Sequence, residues 1–146
     1  MTEPLIRPVT ARDHAQWLPL WHGYCRFYRC ELPEPVTAFT WARLVAGDGL
    51  HGLVAERDGR LVGLVNYLFH PSTWSLHSYC YLEDLFVDPD VRGGGIGRRL
   101  IAGVYAAADA AGAERVYWLT EESNATAQAL YDRIGRRAGF IQYRRP

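Results

Sequence analysis

Residues 88–100 of the chain read DPDVRGGGIGRRL, a glycine-rich run between an apolar, strand-like segment and a helix-like one. Glycines let the backbone approach an anion closely, and the first N–H groups and the dipole of a helix direct partial positive charge at a phosphate. Arg92, Arg98 and Arg99 add three cations to the same turn. The run is therefore predicted to bind a phosphate-bearing ligand.

Two other glycine-rich phosphate loops do not fit this run. The dinucleotide-binding fingerprint requires a small residue where Arg98 stands, and the Walker A loop requires a lysine, which the chain lacks. The spacing that remains is Arg92-x-x-Gly95-x-Gly97. A structural glycine turn without a ligand is the alternative interpretation.

The segments around the turn predict alternating strands and helices. The strand Tyr79–Val87 precedes it, and apolar residues at helical spacing after it predict a helix that stops at Gly112. Asp58-Gly59 is a strong hairpin signal, and Pro19 is expected to kink or break the first helix. The remaining predicted elements are strands Leu5–Val9, Leu53–Glu56, Leu61–Phe69, Val116–Thr120 and Phe140–Tyr143, and helices after Thr10, over Thr37–Val45 and over Ala125–Arg137.

The order of these elements and the composition predict one α/β domain over residues 1–146. A strand-helix-strand-helix-strand ending on a hairpin-rich sheet implies a mixed sheet with helices on both faces. The 146 residues are 49% hydrophobic, which is enough for a single core. A net charge of zero gives no reason to expect a nucleic-acid or membrane partner, and without a long apolar run or a leader-like start a cytoplasmic location is expected.

The cysteine and histidine patterns predict no metal site. Cys25, Cys30 and Cys80 show no CxxC spacing, and the five histidines are scattered without a ligand rhythm. The cysteines are interpreted as small core residues rather than as a disulfide framework.

The Arg92-x-x-Gly95-x-Gly97 spacing resembles the pyrophosphate-binding signature of the GNAT N-acetyltransferase superfamily. The hairpin, the run Tyr81–Pro89 and the stretch Asn124–Tyr131 also fall in family order, so the resemblance covers nearly the whole chain and is strongest to small polyamine- and histone-type enzymes. It implies the GNAT acyl-CoA N-acyltransferase fold, a mixed and mostly antiparallel sheet flanked by about four helices, with acetyl-CoA as acyl donor. It assigns the pyrophosphate to Arg92, Gly93, Gly94, Gly95, Ile96, Gly97 and Arg98, and the pantetheine arm to Leu85, Phe86 and Val87.

Asn124 and Tyr131 are seven residues apart, which places them on one face of a helix that begins here. The resemblance implies that both meet the pantetheine arm and the thioester sulfur, and that the Tyr131 hydroxyl protonates the leaving thiolate as general acid. The alternative is a tyrosine that only packs the helix onto the core.

A base is required because an alkyl amine is almost wholly protonated at neutral pH and must lose a proton before it attacks a thioester. Strand alternation puts Tyr81, Glu83, Leu85 and Val87 on one face and Leu82, Asp84 and Phe86 on the other, so that one carboxylate faces the site. In the GNAT enzymes that this run resembles, the glutamate is the usual candidate base. Glu83 is favoured over Asp84, with His77 as an outside candidate. The alternative is that both carboxylates are structural.

The resemblance places the acceptor pocket between the first two helices and the ends of the central strands. Trp21, Tyr24, Phe27 and Tyr28 form either an aromatic wall of this pocket or a core seam. Glu31, Glu34, Glu121 and Glu122 either attract a cation or are solvated acids. The predicted substrate-binding residues are Tyr24, Tyr28, Glu31 and Glu83, and the predicted acceptor is a small cationic amine, a polyamine or an amino-acid-like molecule.

Two other functions remain open at this point: a lysine acetyltransferase acting on a protein or peptide, histone-like in type, and a non-catalytic acyl-CoA-binding sensor. The sensor would need neither Glu83 nor Tyr131, so the presence of both favours an enzyme. The resemblance also implies two strands after the last helix, where this chain has only Phe140 to Arg145. A short edge strand is a natural place for pairing, so a homodimer is predicted.

Overall fold

A five-stranded sheet with helices on both faces forms the centre of the computed structural model, which describes residues 2–91 and 94–146. The strands are β1 (Leu5–Pro8), β2 (His51–Arg57), β3 (Arg60–His70), β4 (Tyr79–Val87) and β5 (Arg115–Tyr117). The helices are α1 (His14–Phe27), α2 (Glu34–Ala46), α3 (Ile96–Ala110) and α4 (Ala125–Ile134). The spatial order of the strands is the chain order, with antiparallel pairs from β1 to β4 and a parallel pair between β4 and β5.

Two hydrophobic layers lie on opposite faces of the sheet. On one face, α1 and α2 pack on Leu64 and Phe86 through Trp17, Trp21 and Leu44. On the other face, the buried residues of α3 pack on alternate strand residues, and Leu130, Tyr131 and Ile134 of α4 join this layer at its edge. The predicted α/β fold with a mixed sheet and four helices is confirmed.

The turns form where the sequence indicates them. Asp58 and Gly59 join β2 to β3 with φ of 51° and 77°, the left-handed pair that a two-residue hairpin requires. Gly47 ends α2 with φ of 64°.

Helix α1 begins from a 3-10 turn, Ala11–Asp13, that is anchored to the sheet. Asp13 accepts the Thr10 backbone N–H at 2.7 Å and a two-pronged contact from Arg7 of β1 at 2.8 and 2.9 Å. The helix then runs through Pro19, so the predicted break does not occur. Pro19 is exposed, and the buried Trp17, Leu20 and Trp21 hold the helix on the sheet despite the missing N–H.

The predicted strand Phe140–Tyr143 is wrong. Residues 136–146 are irregular, and Phe140, Ile141 and Tyr143 are 82%, 76% and 89% exposed. Two neighbouring elements are also shorter than predicted, because β5 ends at Tyr117 and α4 ends at Ile134. Within the described residues, the sheet therefore ends at β5.

Each helix within residues 2–91 and 94–146 is too short or too polar to cross a membrane.

Candidate active site

The pairing of β4 with β5 covers only the first third of β4. Their pairing runs from Tyr79 and Arg115 to Tyr81 and Tyr117, while β4 continues six residues further, to Val87. The predicted pantetheine residues Leu85–Val87 lie in this part of β4, which β5 does not pair with.

The glycine-rich turn leads from β4 into α3 as predicted. Gly95 has φ of 75° and Ile96, which starts the helix, is buried in the core. A Cβ on Gly97 would lie 3.7 Å from Leu130 and 3.8 Å from Val87, so this glycine sits where α3, α4 and β4 meet. Gly94 and Arg98 are exposed, whereas Arg92 and Gly93 lie outside the described residues.

Asn124 precedes the first residue of α4, and Tyr131 lies in its second half. Asn124 is the N-cap, and its Oδ1 accepts the Ala127 N–H at 3.2 Å. Tyr131 is half-buried against Trp118, with ring centroids 5.4 Å apart. Burial raises the pKa of Tyr131 to about 12, so its hydroxyl keeps its proton throughout the neutral range. Tyr131 therefore both packs the core and presents a protonated hydroxyl.

A β-bulge at Glu83 overturns the predicted face alternation of β4. Asn66 pairs with Asp84, but the next residue, Tyr67, pairs with Leu82, so Glu83 is the extra residue on β4. After the bulge, each residue of β4 points to the face opposite to the one that simple alternation predicts. Leu82, Leu85 and Val87 consequently share the α3 face, and Phe86 packs on the α1 face.

The bulge has a second result, because it brings Glu83 and Asp84 to the same cavity. The prediction that only one of the two carboxylates faces the site is therefore wrong. The cavity is ≈ 410 Å³ and lies between α1, α2, β3 and β4. Its lining residues are Trp21, Tyr24, Leu32, Thr40, Arg43, Leu50, Asn66, Leu68, Glu83 and Asp84.

The two carboxylates have different surroundings. Asp84 is half-buried; it accepts a hydrogen bond from Asn66 Nδ2 at 3.1 Å and another from the Tyr24 hydroxyl. Burial raises the pKa of Asp84, and these two hydrogen bonds offset part of the rise. Glu83 is more exposed; burial and the neighbouring Asp84 charge raise its pKa, and Arg43 lowers it. Glu83 is thus the more accessible of two carboxylates whose proton affinities are both raised.

The aromatic residues of α1 form one row that is both core and cavity wall. Successive ring centroids lie 5.5 Å apart from Trp17 to Trp21, 5.1 Å from Trp21 to Tyr24 and 4.9 Å from Tyr24 to Tyr28. Trp17 and Trp21 are buried, while Tyr24 reaches the cavity and its pKa is raised by burial and by Asp84. Phe27, the other aromatic residue predicted for this wall, is exposed.

Some predicted acceptor residues lie outside the cavity lining. Tyr28 stands at the end of the aromatic row and is 36% exposed. Glu31 and Glu34 are exposed, next to Leu32 rather than in the wall. His77 lies 3.9 Å from Glu114, also away from the lining residues. Thr40, Arg43 and Asn66 also line the cavity, and no sequence pattern predicts them because they reach it only through packing.

A larger cavity of ≈ 610 Å³ lies under α1 beside the end of β4. It is bordered by Gly23, Phe86 and Pro89, and its one carboxylate, Asp88, is paired with Arg60 at 2.6 Å. It holds no residue of the carboxylate pair, so the smaller cavity is the better candidate for proton-transfer chemistry.

Comparison with known proteins decides the family. The model of the Acetyltransferase (GNAT) family matches residues 16–135, most of the chain. The chain belongs to this GNAT family. Two relatives are a D-amino-acid N-acetyltransferase, HPA3, of Saccharomyces cerevisiae, 32% identical over 97% of this chain and 89% of its own, and a thialysine N-epsilon-acetyltransferase of Caenorhabditis elegans, 28% identical over 84% and 76%.

The GNAT fold is matched in solved structures as well. An aminoglycoside acetyltransferase, AAC(6')-Iy, in complex with a bisubstrate analogue of CoA, superposes with a TM-score of 0.87 over 99% of both chains at 18% identity. The protein is accordingly an acetyl-CoA-dependent N-acetyltransferase that acts on an amine.

The chain's own residues fit an acyl-CoA. The last six residues of β4 are not paired with β5, and the exposed Gly94 and Gly95 lie directly before α3. The first N–H groups of α3 suit a diphosphate. Because Gly95 and Gly97 carry no side chain, a diphosphate can approach these N–H groups closely.

Proposed function

We propose that this GNAT enzyme acetylates a small amine bound in the cavity between α1, α2 and β4, with Glu83 as base and Tyr131 as acid. The observation that carries the proposal is the pair of adjacent carboxylates, Glu83 and Asp84, that the bulge brings to the cavity wall. A cavity of this volume suits a small acceptor rather than a long peptide.

Acetyl-CoA would be held on the β5 side of β4. Its diphosphate would bind Arg92, Gly93, Gly94, Gly95, Ile96, Gly97 and Arg98, and its pantetheine arm would lie along Leu85, Phe86 and Val87 towards Asn124. When bound, it supplies an acetyl thioester with a thiolate leaving group. The turn and the start of α3 neutralise and position its charged end.

Glu83 takes the proton from the acceptor ammonium, directly or through a water molecule. Its raised pKa brings it closer to the operating pH, which improves a general base. Asp84, held by Asn66 and Tyr24, supplies part of that rise and adds negative charge that attracts a cationic acceptor. Tyr24 and Tyr28 would bound the acceptor on the α1 side.

Tyr131 donates its hydroxyl proton to the departing sulfur. Because its pKa is about 12, the hydroxyl is protonated when it is needed, and regains its proton from solvent readily after each turnover.

The names of the relatives support an amine acceptor of modest size. They act on a D-amino acid and on thialysine, and a structural neighbour acts on an aminoglycoside. All three acceptors carry an amine that is cationic at neutral pH.

The proposal is tested by CoA release from acetyl-CoA with a panel of amino acids, polyamines, aminoglycosides and basic peptides. Turnover is expected with one class of small amine and is expected to fall in Glu83→Gln and Tyr131→Phe but not in Glu34→Gln, an exposed α2 acid outside the cavity. If the protein bound acetyl-CoA but turned over no acceptor, the proposed enzyme function would be contradicted in favour of an acyl-CoA sensor. Turnover confined to peptides would contradict the small acceptor.

We also propose that the protein is a homodimer. Phe140, Ile141 and Tyr143 expose apolar surface in the segment after α4, and β5 is the last strand of the sheet within the described residues. Burial of these side chains in a second copy would remove that surface from water. A monomeric mass by light scattering at micromolar concentration would contradict this.

A further inference from the structure

Arg43 is the one cation among the described residues that line the cavity, whose other lining residues include two carboxylates, two aromatic rings and three leucines. It projects from α2, with its guanidinium carbon 4.2 Å from the centre of the Phe39 ring. Within the described residues it forms no ion pair, although its charge acts through space on Glu83. The cavity therefore contains both signs of charge, held apart.

Two buried donors on the lining residues lack an acceptor in the described part of the chain. They are Nε of Arg43 and Nε1 of Trp21, a residue that is 4% exposed. A buried donor without a partner is unfavourable, by about 1–3 kcal/mol in typical proteins. Buried donors are nearly always satisfied by protein, water or ligand.

A carboxylate is the group that fits Arg43 best. Nε and one terminal nitrogen of a guanidinium form a fork that binds two carboxylate oxygens side by side. Thr40 lies one helical turn before Arg43, is 9% exposed and also lines the cavity, so its hydroxyl belongs to the same wall. The α2 wall thus offers donors, and the β4 wall offers the acceptors Glu83 and Asp84.

We propose that the acceptor is an α-amino acid whose carboxylate binds Arg43 while its amine faces Glu83. This inference rests on the proposed function of the cavity and narrows it. A polyamine carries several cations and no carboxylate, so Arg43 would repel it and its own Nε would stay unpaired. A zwitterion meets both walls with opposite charge.

The test uses acceptors that differ only in the carboxylate: phenylalanine with phenethylamine and lysine with cadaverine, each amino acid as both enantiomers. The wild-type kcat/KM is expected to favour the amino acid over its decarboxylated partner by at least about 10-fold. Arg43→Gln is expected to lower kcat/KM for the amino acid by about 10- to 100-fold, mostly through KM, and not to lower it for the amine, because the variant removes a charge that repels the amine.

Arg43→Lys should recover part of the loss because it keeps the charge without the fork. Arg12→Gln, an exposed arginine outside the cavity lining, is the matched control. An unchanged KM for acetyl-CoA and an unchanged unfolding temperature in Arg43→Gln show that the variant is folded.

Two results overturn the subsite while CoA release itself continues. Either the wild type has equal kcat/KM for the amine and the amino acid, or Arg43→Gln lowers both kcat/KM values equally. Failure of the proposed function looks different, because no acceptor then releases CoA in the wild type. Binding of N-acetylphenylalanine to wild type but not to Arg43→Gln, measured by calorimetry, supports the subsite without relying on turnover.

Discussion

Asn66 of β3 donates a hydrogen bond to Asp84 of β4 at 3.1 Å, directly beside the bulge at Glu83. This contact ties the two central strands together where their ladder is irregular. It also fixes Asp84 at the cavity wall together with Tyr24, so that a carboxylate is held in a half-buried site. The irregular part of the sheet therefore lies at the cavity wall.

Asp84→Asn is expected to raise stability at neutral pH. The native pKa of Asp84 lies above its ordinary value of 3.8, so the folded protein retains this proton to a higher pH than the unfolded chain. Stability therefore falls as pH rises through the window between these two values, and the neutral amide removes that loss. Thermal unfolding of both proteins at about pH 7 and about pH 4 tests this. The stability that Asp84→Asn gains over wild type should be larger at pH 7. A variant less stable than wild type at pH 7 would contradict the expectation.

Glu83→Gln is expected to lower kcat by about 10²- to 10⁴-fold at neutral pH, the usual effect of losing a general base. The loss should shrink as pH rises towards about 10, because the acceptor amine then loses its proton without help. The measurement is a pH profile of both proteins with saturating acetyl-CoA. A constant ratio across pH would show that Glu83 is not a base.

The acidic limb of the kcat/KM profile should respond in opposite directions to two neighbours of Glu83. The Asp84 charge raises the pKa of Glu83 and the Arg43 charge lowers it. Asp84→Asn should accordingly move the limb to lower pH, and Arg43→Gln to higher pH. Shifts of the same sign in both variants would exclude Glu83 as the group that titrates.

Tyr131→Phe is expected to lower kcat by about 10²-fold, with little change in the KM for acetyl-CoA. The ring remains packed against Trp118, so the unfolding temperature should stay close to wild type. No loss of activity would reduce Tyr131 to a packing residue. Since its pKa is about 12, ionisation of Tyr131 should not limit the rate below that pH.

Asp13→Asn is expected to destabilise the protein by about 2 kcal/mol near pH 7, because charged hydrogen bonds contribute about 1.5–3 kcal/mol each. Asp13 is 7% exposed, and Arg7 lowers its pKa. A lowered pKa gives stability that is present above the ordinary value of 3.8 and is lost as pH falls through the native pKa. Urea unfolding at several pH values should show the difference between variant and wild type shrinking on the acid side.

Local patterns in the sequence were sufficient to predict most of the fold. Asp58-Gly59 predicts the hairpin, and the apolar spacing after Gly95 predicts α3, because both depend on neighbours in the chain. A kink or a break is expected at Pro19 from the sequence, and the helix does not break there because tertiary packing of Trp17, Leu20 and Trp21 outweighs one lost hydrogen bond. The strand at Phe140–Tyr143 was predicted from residue type alone, without a partner to pair with.

The cavity was less predictable for a similar reason. Glu83 and Tyr24 could be named because their neighbours in sequence carry a recognisable pattern. Arg43 and Asn66 reach the cavity from α2 and β3, and only the packing of three elements brings them together. The bulge reverses the face of the sheet to which the later residues of β4 point. No residue type in the strand predicts this bulge.

The position of the bulge also shows which residues of β4 the sheet requires. If Glu83 were deleted, Leu82 would be followed by Asp84, Leu85, Phe86 and Val87, and simple alternation would return each of these to the face it occupies now. The hydrophobic pattern of β4 is therefore complete without Glu83. The sheet would be more regular in its absence, so the strand pairing and the apolar packing of β4 do not require this glutamate.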